Sequence, residues 1–343
     1  MSLALLPILL ACTPDAPSDP AATPGPATPP AVRELSLGAY TTPREAYGKA
    51  ILPAFAASWK AKTGQTVTFQ ESYQGSGSQA RAIVEGFEAD VAALSLDPDV
   101  GTIEKAGLVK HDWRAGPHGG IVTKSIVVIA VRAGNPKGIK DWADLARDDI
   151  EVLTPNVRTS GGAMWNVAAI WGAATRGKAG GAAGDLAVAE QLLAGILGNV
   201  KVMDKGARES MVTFENGVGD AAITYENEVL VAKQEGKAMD YVVPTSTLLI
   251  ENPVAVIDTN VDAHGTRDLA EAFVAFLTTS EAQQSFAKYG LRPVDETATP
   301  PGLPVVTDLF TVRDLGGWPA VQESLFAKGA AYDRALSAAQ ATK

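Results

Sequence analysis

Three short stretches hold the groups that could do chemistry, and they share one form. Gln74-Gly75-Ser76-Gly77-Ser78, Arg158-Thr159-Ser160-Gly161-Gly162 and Lys205-Gly206-Ala207 are small-residue turns that each run into a helical pattern. The first N–H groups of a helix lack intrahelical partners and carry a partial positive charge. Glycine lets the backbone approach a ligand closely, and a serine hydroxyl adds a donor. Each turn is therefore a potential oxyanion site. One such start is more often a plain helix cap; three in one chain shift the balance towards binding.

Other chemistries lack their residues. With three His and one Cys, the chain has little from which to build a zinc site or a disulfide framework. No metal and no cofactor is expected. A serine hydrolase is a remote alternative: the elbow around Ser76 would need Gly at 73, which is Tyr, although His118-Gly119-Gly120 resembles an oxyanion-hole loop. Gly217 to Ala222 looks like a dinucleotide fingerprint but precedes a strand instead of following one. Asp97-Pro98-Asp99 reads as a solvated loop, and Tyr47, Ile51, Phe55 and Trp59 as a core stripe. A net charge of −10 argues against nucleic acid or an anionic membrane surface as partner. A small anion answers to local dipoles instead.

The elements that must position these turns alternate. Strand patterns at 34–39, 67–70 and 91–94 are separated by helical patterns at 44–62 and 79–87. Ile126 to Val131 is a continuous apolar run, as in a strand buried on both faces. Further strands are expected at 151–154, 200–202, 221–224, 241–243 and 254–257, with helices at 164–174, 186–197, 208–215 and 269–277. This order specifies an α/β fold with a largely parallel sheet. Two lobes fit the length, with strands crossing between them near residues 126 and 254. Lobe 1 is expected to comprise 34–126 and 254–312, and lobe 2 127–253, with a C-terminal helical segment at 313–343.

The N-terminus reads separately. Met1 to Ala11 is apolar and ends in Leu9-Leu10-Ala11-Cys12, which resembles a bacterial lipobox with Cys12 lipidated, although a basic n-region is missing. The segment is well short of the roughly 20 residues that span a bilayer. Residues 13–33 are dominated by Pro, Ala, Thr and Ser, a composition that suits an extended tether.

Thr154-Pro155-Asn156 and Thr159-Ser160-Gly161-Gly162-Ala163-Met164-Trp165-Asn166 resemble the signature of periplasmic sulfate-binding proteins. Other blocks follow in the same order: Tyr40 with Arg44-Glu45, Gly75-Ser76-Gly77, Glu88-Ala89-Asp90-Val91, Gly206-Ala207-Arg208, Glu226-Asn227-Glu228, Arg292-Pro293 and Gly316-Gly317-Trp318. The resemblance spans Glu34 to Tyr332. It implies a two-lobed type II periplasmic-binding fold that closes over one sulfate, held by neutral donors. Ser76 and Ser160 would give hydroxyls, and Thr41, Gly161, Gly162 and Ala207 backbone N–H groups, with Arg208 in support. Tyr225 stands where the best-known members have a Trp, Thr41 where relatives often have Asp, Met164 where several have Arg, and Ser78 where several have Lys. The partners implied are an importer permease with its ATPase, and a membrane only through the anchor. A monomer is expected, lipid-anchored in the periplasm or at the outer face of a membrane.

Proton content orders the ligands. Sulfate only accepts hydrogen bonds at neutral pH, whereas phosphate keeps a proton that needs an acceptor. None of the expected contacts is a carboxylate, so sulfate is favoured over phosphate. Thiosulfate and molybdate, acceptors only, are the closer alternatives. A surface lipoprotein that kept the fold without binding is a third class.

Overall fold

The computed structural model describes residues 32–341. Cys12 and the tether as far as residue 31 lie outside the described residues.

The chain opens with β1 (Val32–Tyr40) and α1 (Arg44–Ala46), which passes through a π turn at Tyr47–Ile51 into α2 (Leu52–Thr63). β2 (Thr66–Gln74), α3 (Ser76–Val84), β3 (Val91–Ala93) and α4 (Asp97–Lys105) follow. The stripe behaves as its spacing predicts: Tyr47, Ile51 and Phe55 are buried, and Trp59 packs at their edge. Tyr47 meets Phe286 edge-on at 5.5 Å, and Phe55 meets Phe273 at 5.1 Å. Each such burial contributes about 1.5–3 kcal/mol.

Three local expectations shift. β1 begins at Val32, two residues before the expected start of the body at Glu34, because Arg33 is anchored to Asp268 by two bonds of 2.7 and 2.8 Å. α3 begins at Ser76 and not at Gln79. Asp97-Pro98-Asp99 is not a solvated loop but the first turn of α4. Proline at the start of a helix loses no intrahelical bond, and acidic residues there oppose the helix dipole.

The second half of the sheet is built by β4 (Ile121–Arg132), β5 (Val152–Leu153), α5 (Gly161–Thr175), α6 (Leu186–Gly198), β6 (Val200–Val202) and α7 (Ala207–Glu215). β7 (Ala221–Tyr225), α8 (Glu226–Gln234), β8 (Met239–Val242) and β9 (Ser246–Val256) complete it. α9 (Asp258–His264), α10 (Arg267–Leu277) and α11 (Ser280–Lys288) return to the first half. β10 (Asp308–Phe310), α12 (Gly317–Val321) and α13 (Ala331–Ala341) end the chain on the second, where Ala335 and Ala339 join the core beside Leu193 and Ile196.

The strand order is β2-β1-β3-β9-β4-β7-β5-β6, with β10 beside β9 and β8 beside β4. The flanks β2-β1-β3 and β7-β5-β6 are parallel. Between them run β9 and β4, antiparallel to each other; β9 is antiparallel to β3 but parallel to β10, and β4 is antiparallel to β7 and β8. β4 pairs with β9 up to Ile126 and with β7 from Val127; β9 passes from β4 to β3 between Pro253 and Val254. Two long strands thus carry the backbone from one half to the other. Ile126 to Val131 is buried throughout, as its composition predicts. In such α/β sheets ligands sit beyond the carboxyl ends of parallel strands, where strand order reverses.

Candidate anion-binding site

The three turns become three helix N-termini, capped by Gly75 on α3, Ser160 on α5 and Gly206 on α7. They meet across the two halves. A Cβ on Gly75 would lie 2.6 Å from the Thr159 carbonyl oxygen and 2.7 Å from that of Lys205. The Ser78 N–H donates to the Thr159 carbonyl at 3.3 Å. The cleft is therefore closed. On Gly162 a Cβ would sit 2.9 Å from the Tyr225 ring, 3.0 Å from Ala207 Cβ and 3.3 Å from Ser160 Oγ. Thr41 Oγ1 lies 3.3 Å from the Cβ position of Gly206. Thr41, Ser76, Ser160, Gly161, Gly162, Ala207 and Tyr225 are all buried along this one seam. A cavity of about 200 Å³ adjoins it, lined by Gly77, Arg81, Asp99, Arg158, Ser160 and Gly161 among others.

The hydroxyls differ in what they have left to give. Ser160 Oγ accepts from the Ala163 N–H at 3.4 Å, which leaves its proton free. Ser76 Oγ accepts from the Ser95 N–H at 2.9 Å and donates to Asp99 Oδ2 at 2.5 Å. Burial pushes the Asp99 carboxyl up to about 6, against the opposing pull of Ser76 and Arg81. A carboxylate thus stands one hydroxyl behind a seam expected to carry donors only. Tyr225 Oη lies 2.7 Å from Ser95 Oγ, and Trp165 Nε1 donates to Ser95 at its carbonyl (3.1 Å) and its Oγ (3.0 Å). Burial holds the Tyr225 phenol far above its ordinary range, so it keeps its proton. Sequence reasoning missed both Ser95 and Asp99. The one available signal was a lone hydroxyl between Leu94 and Leu96, followed by an acidic helix start.

Residues 46–292 match the model of a bacterial extracellular solute-binding protein family. The chain is 46% identical to the sulfate-binding protein of Synechococcus elongatus over 310 residues, covering 89% of this chain and 87% of that relative. It is 38% identical to the thiosulfate-binding protein of Escherichia coli over 315 residues, covering 89% and 91%. The solved structure of the sulfate-binding protein SubI from Mycobacterium tuberculosis H37Rv aligns with a TM-score of 0.78 at 36% identity, over 86% of this chain and 99% of that one. The chain belongs to this bacterial extracellular solute-binding family, within the group that includes these sulfate- and thiosulfate-binding relatives. Its fold is the type II periplasmic-binding fold, and its role is to bind a solute and not to catalyse a reaction.

The charges of this solute-binding protein suit that role. Arg208 lies in the first turn of α7 with its two terminal nitrogens engaged: Nη1 reaches Glu228 at 3.1 Å and Nη2 reaches Glu45 at 2.7 Å, while its buried Nε has no hydrogen-bond partner. Burial pushes the Glu228 carboxyl up to about 7, with Arg208 pulling the other way. Two carboxylates thus offset the guanidinium nearest the α7 start. His111 pairs with Asp258 at 2.7 Å and His264 with Asp90 at 2.8 Å, while His118 lies in an exposed turn. Among the described residues no histidine hydrogen-bonds Ser76 or Ser160, and no group of three or more His, Cys, Asp or Glu could hold a metal ion.

Proposed function

We propose that this solute-binding protein captures sulfate between its two halves and passes it to a membrane permease driven by an ATPase. The observation that carries this reading is the meeting of three helix N-termini on one buried seam, beside a guanidinium already paired with two carboxylates. Preorganised N–H and O–H donors replace the water around a dianion and spread its charge over dipoles. Ser160 gives its free proton, and Ser76 turns its own from Asp99 to the oxyanion. Thr41, Gly161, Gly162 and Ala207 supply N–H groups, and the hydroxyl pair of Tyr225 and Ser95 completes the set.

Sulfate is favoured over phosphate because the residues named for the ligand donate, and Asp99, which borders the adjoining cavity, is engaged by the Ser76 hydroxyl. A phosphate proton left without an acceptor costs about 1–3 kcal/mol. Thiosulfate is the second ligand: it too only accepts, and the 38% identical relative from Escherichia coli is a thiosulfate-binding protein. The protein works as a monomer, anchored through lipidated Cys12 and its tether at the outer face of a membrane. Its lobes are 34–126 with 254–307, and 127–253, on which β10 and the described residues after it, 308–341, pack. Closure is favoured when ligand touches both lobes.

Trp165 lies against Ser95 and beside the seam, so its fluorescence reports occupancy. A saturable change with one sulfate per chain is expected. An emission unmoved by sulfate, with no sulfate retained on dialysis, would rule the reading out.

A further inference from the structure

Ser95 is not among the residues that the resemblance assigns to the ligand, yet it touches three of them. Its N–H donates to Ser76 Oγ at 2.9 Å, its Oγ lies 2.7 Å from Tyr225 Oη, and a Cβ on Gly161 would fall 2.5 Å from that same Oγ. Ser95 and Tyr225 are both fully buried, at 0% exposure, so each of their protons must find an acceptor inside the protein or in a ligand.

The protons can be counted. Two hydroxyls that share one hydrogen bond use one proton and leave one over. The surroundings say which is left. Trp165 Nε1 can only donate, and it points at Ser95 Oγ from 3.0 Å. The Asn252 carbonyl oxygen already accepts from Thr123 at 3.2 Å, and its amide nitrogen donates to the Ser95 carbonyl at 3.1 Å. Of the two hydroxyls the phenol is the more acidic and so the stronger donor, while the aliphatic oxygen is the better acceptor, so Tyr225 donates to Ser95. Ser95 Oγ accepts from both aromatic residues, and its own proton has no remaining acceptor in this chain of bonds.

We infer that Ser95, rather than Tyr225, presents the terminal hydroxyl to the bound oxyanion, with Tyr225 as a positioning residue behind it. This rests on the reading of the cleft as an oxyanion site and specifies its donor set. The order is Tyr225 to Ser95 to ligand, each donor polarising the next. A phenol both accepts and donates and so can work through a second hydroxyl.

The test is calorimetric titration of the full chain with sulfate, comparing wild type, Ser95→Ala, Tyr225→Phe, the double variant and Ser160→Ala. Ser95→Ala should weaken sulfate binding by ~10–100-fold, the loss expected for one hydrogen bond to a charged group. Tyr225→Phe should cost less than about tenfold, because Ser95 keeps its proton. The double variant should match Ser95→Ala within about twofold, since Tyr225 acts only through Ser95. A merely structural role would give independent, multiplying losses that track melting temperature. Ser95→Cys, close in volume and a weak donor, should fold and lose affinity as Ser95→Ala does. Losses that multiply, or a larger loss in Tyr225→Phe, would make Tyr225 the direct donor and overturn the inference. Ser160→Ala weakened beside an unchanged Ser95→Ala overturns this inference alone. A wild type that binds no sulfate overturns the reading beneath it, and the inference with it.

Discussion

Arg208 Nη2, on the first turn of α7, donates to Glu45 Oε2 of α1 at 2.7 Å and so ties one half of the protein to the other. The same guanidinium meets the fully buried Glu228 at 3.1 Å from within its own half. One side chain thus neutralises a buried acid and latches the closed cleft.

Removing that cation should be costly. Arg208→Met leaves Glu228 buried without a partner, a situation worth about 3–5 kcal/mol. Glu228→Gln in the same chain should restore most of that loss, because no charge then remains buried. Thermal melting of the two variants checks this. A single variant as stable as wild type would mean that Glu228 is already neutral and independent of Arg208.

Gly75 separates closure from folding. Its φ of −55° is open to any residue, so alanine strains nothing in a form whose halves are apart. In the closed form the new Cβ would meet two backbone oxygens at 2.6 and 2.7 Å. Overpacking of this kind costs about 1–3 kcal/mol. Gly75→Ala should bind sulfate roughly 5–100-fold more weakly and should compact less when sulfate is added. Titration and small-angle scattering measure both, and wild-type affinity would show that the halves need not meet at Gly75.

Asp99 gives stability a pH dependence of known sign. Its folded value of about 6 lies above the ordinary 3.8, so the folded state holds the proton more tightly than the unfolded chain does. That stabilisation is complete below the unfolded value and is lost as pH rises through about 6. Asp99→Asn should therefore gain on wild type between pH 4 and pH 8, by on the order of 1–2 kcal/mol. Melting curves across this range decide the matter, and parallel curves would leave Asp99 uninvolved.

Ser160 has two duties that one substitution removes together. As the cap of α5 its loss to alanine costs about 1 kcal/mol of stability. As a donor to a charged ligand it is worth ~1.5–3 kcal/mol of binding. Ser160→Asn keeps a capping oxygen without the hydroxyl. It should therefore recover stability but not sulfate affinity. Recovery of both would confine Ser160 to capping.

The sequence was legible where a residue's role is local. A Gly/Ser turn followed by apolar periodicity marks a helix start whatever surrounds it, so the three turns could be read directly. Ile126 to Val131 announces a doubly buried strand by composition alone. Asp97-Pro98-Asp99 misled because proline breaks a helix in its interior yet suits its first turn. Ser95 was hidden in an apolar run, and its importance comes from Tyr225, Trp165 and Asn252, all distant in the chain. The Arg208–Glu45 latch spans 163 positions, beyond the reach of spacing arguments.

The central claim is a donor-lined seat for a fully deprotonated oxyanion. Calorimetric titration of the dialysed protein with sulfate, thiosulfate, molybdate and phosphate at one pH tests it most directly. Tight one-to-one binding of sulfate is expected, with phosphate at least about tenfold weaker for want of an acceptor for its proton. Phosphate bound as tightly as sulfate, and lost in Asp99→Asn, would contradict the claim and make Asp99 a direct ligand.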